Sequence, residues 1–217
     1  MATINSINNK SGSLTVDPGA SGDSFVQLNI NTVGKYIIGV DDSDGDKFKI
    51  EAGSAFTTAP FEVDANGIIR MTNQPAFFAT NTAGDLNVTG DSTEFTCDFN
   101  SEIFDQGSDF SADTFAAPAT GRYLLCTSVF FQGITSSHTA GNIKIVTSNR
   151  TYEFKTGNPY AQTSSGTNFQ VNISVIADMD VSDTATVTGT IDNGAKVVDL
   201  FGAATDQYTG FSGVLVC

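Results

Sequence analysis

The chain has 217 residues, with 24 acidic and 10 basic side chains and a formal net charge of −14 at pH 7. A surface this acidic excludes counterion-releasing contact with nucleic acid and repels an anionic membrane, and no stretch approaches the roughly 20 apolar residues of a membrane span. Seventeen Phe and five Tyr with no Trp favour strands over helices.

The first residues, Met1-Ala-Thr-Ile-Asn-Ser-Ile-Asn-Asn-Lys10, carry no apolar run of signal-peptide length, so the expected place of synthesis is a host cytoplasm. Polar, Gly/Ser-rich Ala2 to Asp23 suits an attachment arm that orders on binding. Short strands follow, cut by turn residues: Phe25 to Ile30, Lys35 to Val40, Lys47 to Ile50, Phe61 to Val63 and Ile68 to Met71. Residues 1–73 therefore read as a small β-rich base or attachment region, one that gains core by packing on copies of itself or on a larger domain.

From residue 74 the strand candidates lengthen. They are Thr93 to Phe99, Phe110 to Phe115, Gly121 to Phe131, Ile143 to Thr147, Thr151 to Lys155, Asn168 to Ala177, Ala185 to Ile191 and Tyr208 to Val216. Alternation is clear in Phe169-Gln-Val-Asn-Ile-Ser-Val175, and no stretch sustains a helical period. About eight strands with alternating faces predict an all-β, antiparallel β-sandwich closed as a jelly roll over residues 74–217.

Two distant segments carry a family resemblance. Phe115-Ala-Ala-Pro-Ala-Thr-Gly-Arg-Tyr123 reads as a strand end, a turn and an aromatic-led strand, and Phe211-Ser-Gly-Val-Leu-Val216 reads as a closing strand. With Gln74-Pro-Ala-Phe-Phe-Ala79 before them and the hairpin Phe169 to Ala177 and Thr184 to Gly189 between, they come in the order of the complement C1q-like domain. Residues 74–217 thus resemble that family, a trimeric jelly roll shared with tumour necrosis factor-like proteins. The resemblance implies a C1q/TNF-like head and a homotrimer. It places no ligand, because Asp180-Val-Ser-Asp183 and the Ser/Thr/Gly-rich residues 132–167 depart from the family pattern. Upstream, Tyr36 to Ile50 closed by Phe61 to Met71 resembles a unit of bacteriophage tail fibres and other virion proteins. That pairing implies a virion structural protein, a trimeric phage fibre or capsid decoration, located in the particle. Its base would dock on other virion proteins and its head would contact a host-surface glycan or protein. A lectin-like trimer that binds carbohydrate or protein outside any virion is the alternative, with a polysaccharide-depolymerising enzyme behind it.

Candidate sites are few. Asp42, Asp44 and Asp46 alternate in an acidic turn where carboxylates can wrap Ca²⁺ or simply serve turn geometry; the EF-hand spacing is not met. Asp178, Asp180 and Asp183 form a second acidic group next to an expected strand end, read either as holding an ion near a threefold axis or as carboxylates whose repulsion is relieved by solvent exposure. His138 has no second histidine to share ligation and reads as an exposed loop residue; with Tyr152 and Tyr160 it is a candidate surface-binding residue. Catalytic signatures such as G-x-S-x-G and H-E-x-x-H are missing, so the chain is expected not to be an enzyme and to need no cofactor. Cys97, Cys126 and Cys217 are too widely spaced for a zinc pattern, and Cys97, flanked by Phe95 and Phe99 on one strand face, reads as a buried hydrophobe.

Overall fold

The computed structural model describes Val16, Gly19, residues 22–163 and residues 167–217, so most of the proposed attachment arm lies outside the described residues. The chain divides into two compact units between Asn73 and Gln74.

Unit 1 is a five-stranded antiparallel meander, paired in chain order: β1 (Ser24–Ile30), β2 (Val33–Asp41), β3 (Lys47–Ala52), β4 (Phe61–Val63) and β5 (Ile69–Arg70). Asn31 and Thr32, both at positive φ, make the two-residue turn that joins β1 to β2. The register sorts the side chains into two unlike faces. One face aligns Val26, Ile38, Ile50 and Phe61 in a row, with Leu28 opposite Tyr36 and Val40 opposite Phe48. The other aligns Lys49 with Glu62 and Arg70, and Ile37 with Glu51. The burial is inverted from the usual arrangement: Lys49, Glu51 and Glu62 are buried, whereas Val26, Leu28, Tyr36, Ile38 and Phe48 are exposed. The loop between β3 and β4 causes this by folding over the charged face. Phe56 meets Phe25 edge-on at 6.0 Å, Ala59 is buried, and Glu51 accepts hydrogen bonds from the Thr57 and Thr58 backbone N–H groups.

Unit 2 is a sandwich of two antiparallel sheets. Its strands are β6 (Ala76–Thr80), β7 (Asp85–Thr89), β8 (Phe95–Thr96), β9 (Ser101–Asp105), β10 (Phe110–Ser111), β11 (Thr114–Ala116) and β12 (Gly121–Gln132). They continue as β13 (Ala140–Thr147), β14 (Thr151–Lys155), β15 (Phe169–Met179), β16 (Thr184–Asp192), β17 (Val198–Leu200) and β18 (Gly210–Leu215). One sheet runs β7-β17-β12-β18-β6-β9 with β15 on the other side of β12, and the second runs β10-β11-β16-β13-β14 with β8 on β16. A single helical turn, α1 (Pro159–Gln162), is capped by Asn158, whose side chain accepts from the Ala161 N–H, with Pro159 in the first turn.

The core explains why the two aromatic-led segments matter. Phe77 stacks on Phe110 at 5.0 Å and on Phe115 at 4.8 Å, and meets Phe211 edge-on at 5.1 Å. Tyr123 packs 5.3 Å from Phe115 and donates its hydroxyl proton to the Ala119 carbonyl at 2.7 Å. Strands β6, β11, β12 and β18, far apart in sequence, thus meet in one aromatic cluster. The expected strand Phe110 to Phe115 is instead a hairpin, because Ala112 and Asp113 both take positive φ and turn the chain. β7, β9 and β17 were not anticipated. Among the described residues no helix is long and apolar enough to cross a membrane.

Candidate functional site

The outer face of the larger sheet of unit 2 holds the most distinctive surface. Along β12, Tyr123, Leu125, Thr127 and Val129 point into the core, and Leu124, Cys126, Ser128 and Phe130 point away from it. The register places Leu124 between Ile176 of β15 and Val214 of β18, and Cys126 between Ser174 and Ser212. Beyond Ser212 come Phe78 of β6 and Phe104 of β9. Leu124, Ile176, Val214 and Phe104 are all exposed, Ile176 and Phe104 by 63% and 51%. The result is an apolar band with a polar neighbour: Ser128, Asn172 and Ser174 rim a shallow groove floored by Phe78 and Cys126. Farther along the strand, Phe130, Phe201 and Tyr208 form a triangle of rings with each centroid pair 5.3 Å apart. Gln170 pins it by donating to the Tyr208 carbonyl at 3.2 Å.

A second feature is a lateral groove between β14 and β15, which end their respective sheets. Tyr152, Phe154, Ile173 and Val175 line it, and Glu153, Asn172 and Ser174 add polar groups. Phe154 is 47% exposed. An edge strand keeps backbone donors and acceptors on its free side, so this groove can accept both an apolar side chain and a backbone.

Of the residues expected to form sites, several are placed otherwise. His138 is fully buried, not an exposed loop residue, and is therefore no surface-binding group. Its Nδ1 accepts the Thr135 N–H at 2.8 Å, which fixes the proton on Nε2, where it is donated to the Ala195 carbonyl at 3.1 Å. The ring fits because Gly194 faces it: a Cβ there would lie 2.3 Å from the imidazole. Tyr160 is exposed on α1, and its N–H reaches the His138 carbonyl at 3.4 Å, so these two loops are joined through backbone. Tyr152 belongs to the lateral groove instead.

The carboxylates of Asp42, Asp44 and Asp46 are not gathered into a calcium loop. Asp44 is held by Lys47 at 3.0 Å and Lys49 at 2.6 Å, while Asp42 accepts from the Gly22 N–H at 3.4 Å. Asp46 takes positive φ beside Gly45, as the turn requires. Lysine ammonium groups supply the positive charge that a cation would bring. Lys49 also bridges to buried Asp41 at 2.7 Å, and that hydrogen bond, with one from Ser43, holds Asp41 below the ordinary carboxylate range. In the second acidic group, Asp183 accepts from the Asp180 N–H and from Asn149, closing a turn. Among the described residues, no group of three or more His, Cys, Asp or Glu is placed to hold a metal ion. Cys97 is buried, which raises its thiol pKa; Cys126 lines the groove and Cys217 is exposed, all three as free thiols.

No family model matches the sequence, and no curated protein matches it. Solved structures do match in fold. The globular domain of zebrafish complement 1qA aligns over 66% of this chain and 98% of that one, at 14% identity and a TM-score of 0.46. Murine APRIL aligns over 66% of this chain and 99% of its own, at 15% identity and a TM-score of 0.45 in one structure and 17% and 0.44 in another. The C-terminal region resembles the C1q/TNF-like jelly roll. The expected virion role is corrected: the structures named above are a complement domain and APRIL, not phage fibre or capsid proteins, and they lend no support to the fibre-like resemblance of residues 36–71.

Proposed function

We propose that this chain is a homotrimeric binding module of the lectin-like kind, taking a carbohydrate or protein ligand and independent of any virus particle. The observation that carries the reading is the apolar band of Leu124, Ile176, Val214 and Phe104 on a sheet whose other face already fills the core. A strand that is apolar on both faces is built to be covered on both. The four residues of the band are uncharged, with the Arg122–Asp178 ion pair at one end and a polar groove beside them, the combination of apolar centre and polar rim found where subunits meet. Association of the heads through it leaves other surfaces, such as the exposed Tyr160 turn, for a ligand.

Light scattering on the native protein tests the assembly, with an expected mass three times the 22.7 kDa of the chain. Leu124→Asp should lower that mass to the monomer value while the circular dichroism stays that of a β protein. A wild-type monomer would overturn the reading. A glycan array tests the ligand: selective retention of a sugar class supports the carbohydrate arm, and no retention leaves the protein arm, read by affinity capture with the trimer.

A further inference from the structure

Unit 1 leaves the wrong face outside for a free-standing sheet. Lys47, Lys49, Arg70 and the carboxylates that hold them lie on the face the loop covers or at its margin and are linked in series: Asp41 to Lys49, Lys49 to Asp44, Asp44 to Lys47, Lys47 to Glu62, Glu62 to Arg70 and Arg70 to Asp64. The opposite face carries Val26, Leu28, Tyr36, Ile38, Phe48 and Ile69, all exposed, one or two on each of β1, β2, β3 and β5. Cross-strand pairing puts them side by side, so this is one continuous patch rather than scattered apolar residues.

We propose that this face is a self-association surface, covered in solution by the same face of other copies of this chain. Three observations select that occupant. First, the face holds no charged side chain, so it offers nothing to a charged partner, and like faces meet there without burying charge even though the chain carries −14. Second, five strands about 4.8 Å apart and some five residues long give a face of roughly 400 Å². That is about half of the roughly 800 Å² per partner that a lasting interface needs, which suits a contact made between copies already held together elsewhere. Third, residues 1–15 have Met1, Ile4, Ile7 and Leu14 as their large apolar side chains, too few to cover a patch of this length. The proposal rests on the trimer reading for its local concentration: heads joined through unit 2 bring the three meanders within reach, and closure of the apolar faces then adds to the stability of the assembly.

The test uses the full chain with Cys126→Ser and Cys217→Ser, leaving buried Cys97. Tyr36→Cys places a thiol on the apolar face, and Lys35→Cys places one on the next residue, pointing the other way. Under mild oxidation, Tyr36→Cys should give disulfide-linked dimers at least tenfold faster than Lys35→Cys. In a separate chain, Ile38→Asp should raise the concentration at which the assembly dissociates by tenfold or more. Equal cross-linking of the two cysteine variants in a protein of trimeric mass would overturn this proposal and leave the trimer reading standing. A wild-type monomer would overturn both. Protection of Tyr36 from modification in a monomeric Leu124→Asp protein would assign the cover to the chain's own residues, and would also overturn it.

Discussion

Held at the junction of two loops, His138 uses both ring nitrogens, one accepting the Thr135 N–H and one donating to the Ala195 carbonyl. Its replacement by Ala leaves a buried donor and acceptor without partners, each worth about 1–3 kcal/mol. His138→Ala should therefore lower the urea midpoint clearly while leaving the native mass unchanged. Tyr123 makes a parallel case with a smaller effect. Tyr123→Phe keeps the ring against Phe115 and removes the hydrogen bond to the Ala119 carbonyl, an expected loss of about 1 kcal/mol by equilibrium unfolding. The sequence shows neither role directly. A lone histidine in a Ser/Thr-rich loop looks solvated, and what buries it is Gly194, 56 positions away.

At the level of elements, β18 is the most constrained. It pairs with β12 on one side and β6 on the other, and Gly213 sits where a Cβ would come within 2.5 Å of the Phe77 ring and 2.8 Å of Leu125. Gly213→Ala should destabilise unit 2 by about 1–3 kcal/mol, read from the shift in its denaturation midpoint. Strands such as β12, β15 and β16 were legible because long period-2 runs survive any local irregularity. β7 and β17 were not, since each is short and is stabilised by pairing with the other across more than a hundred residues. The apolar band has a readable signal: in Tyr123-Leu-Leu-Cys126 no polar residue marks an outer face, which is how a strand covered on both sides reads. The apolar face of unit 1 was written in the alternation of Val26, Leu28 and Ile30. What sequence could not supply was the loop that claims the other face, because Phe56 and Thr57 carry no periodicity.

For the whole molecule, the two units differ in their response to acid: the shifted carboxylates of unit 1 are all lowered, whereas unit 2 mixes lowered Asp91 and Glu153 with raised Asp98 and Asp109. In unit 1, hydrogen bonds from Lys49 lower the pKa of Asp41 and Asp44, and backbone hydrogen bonds led by Ile68 lower that of Asp64. Burial works against ionised Glu51, but hydrogen bonds from Thr57 and Thr58 outweigh it. Groups lowered in this way stabilise the fold above the ordinary aspartate value of 3.8, and that contribution is lost as pH falls through their folded values. In unit 2 burial raises Asp98 and Asp109, Asp98 further through neighbouring Asp113 and Asp85, and Asp109 through Asp105. For these the native state binds the proton more tightly, so acidification toward 3.8 removes a penalty rather than a support. Between pH 4 and 2 the protein should unfold in two steps, unit 1 first, with amide exchange accelerating in residues 24–70 before the unit 2 core. Simultaneous loss of both would refute the assignment.

The place of β18 also bears on how the protein is made. It is the last strand of the jelly roll in chain order, yet it lies in the interior of its sheet, bonded to partners some 80 to 90 and 130 to 140 residues earlier. While a ribosome is still adding residues before Gly210, β6 and β12 have no strand between them, and Phe77 waits for Phe211. Closure of this sheet therefore waits for β18, and until then the nascent intermediate displays two open strand edges that chaperones or sister chains can engage.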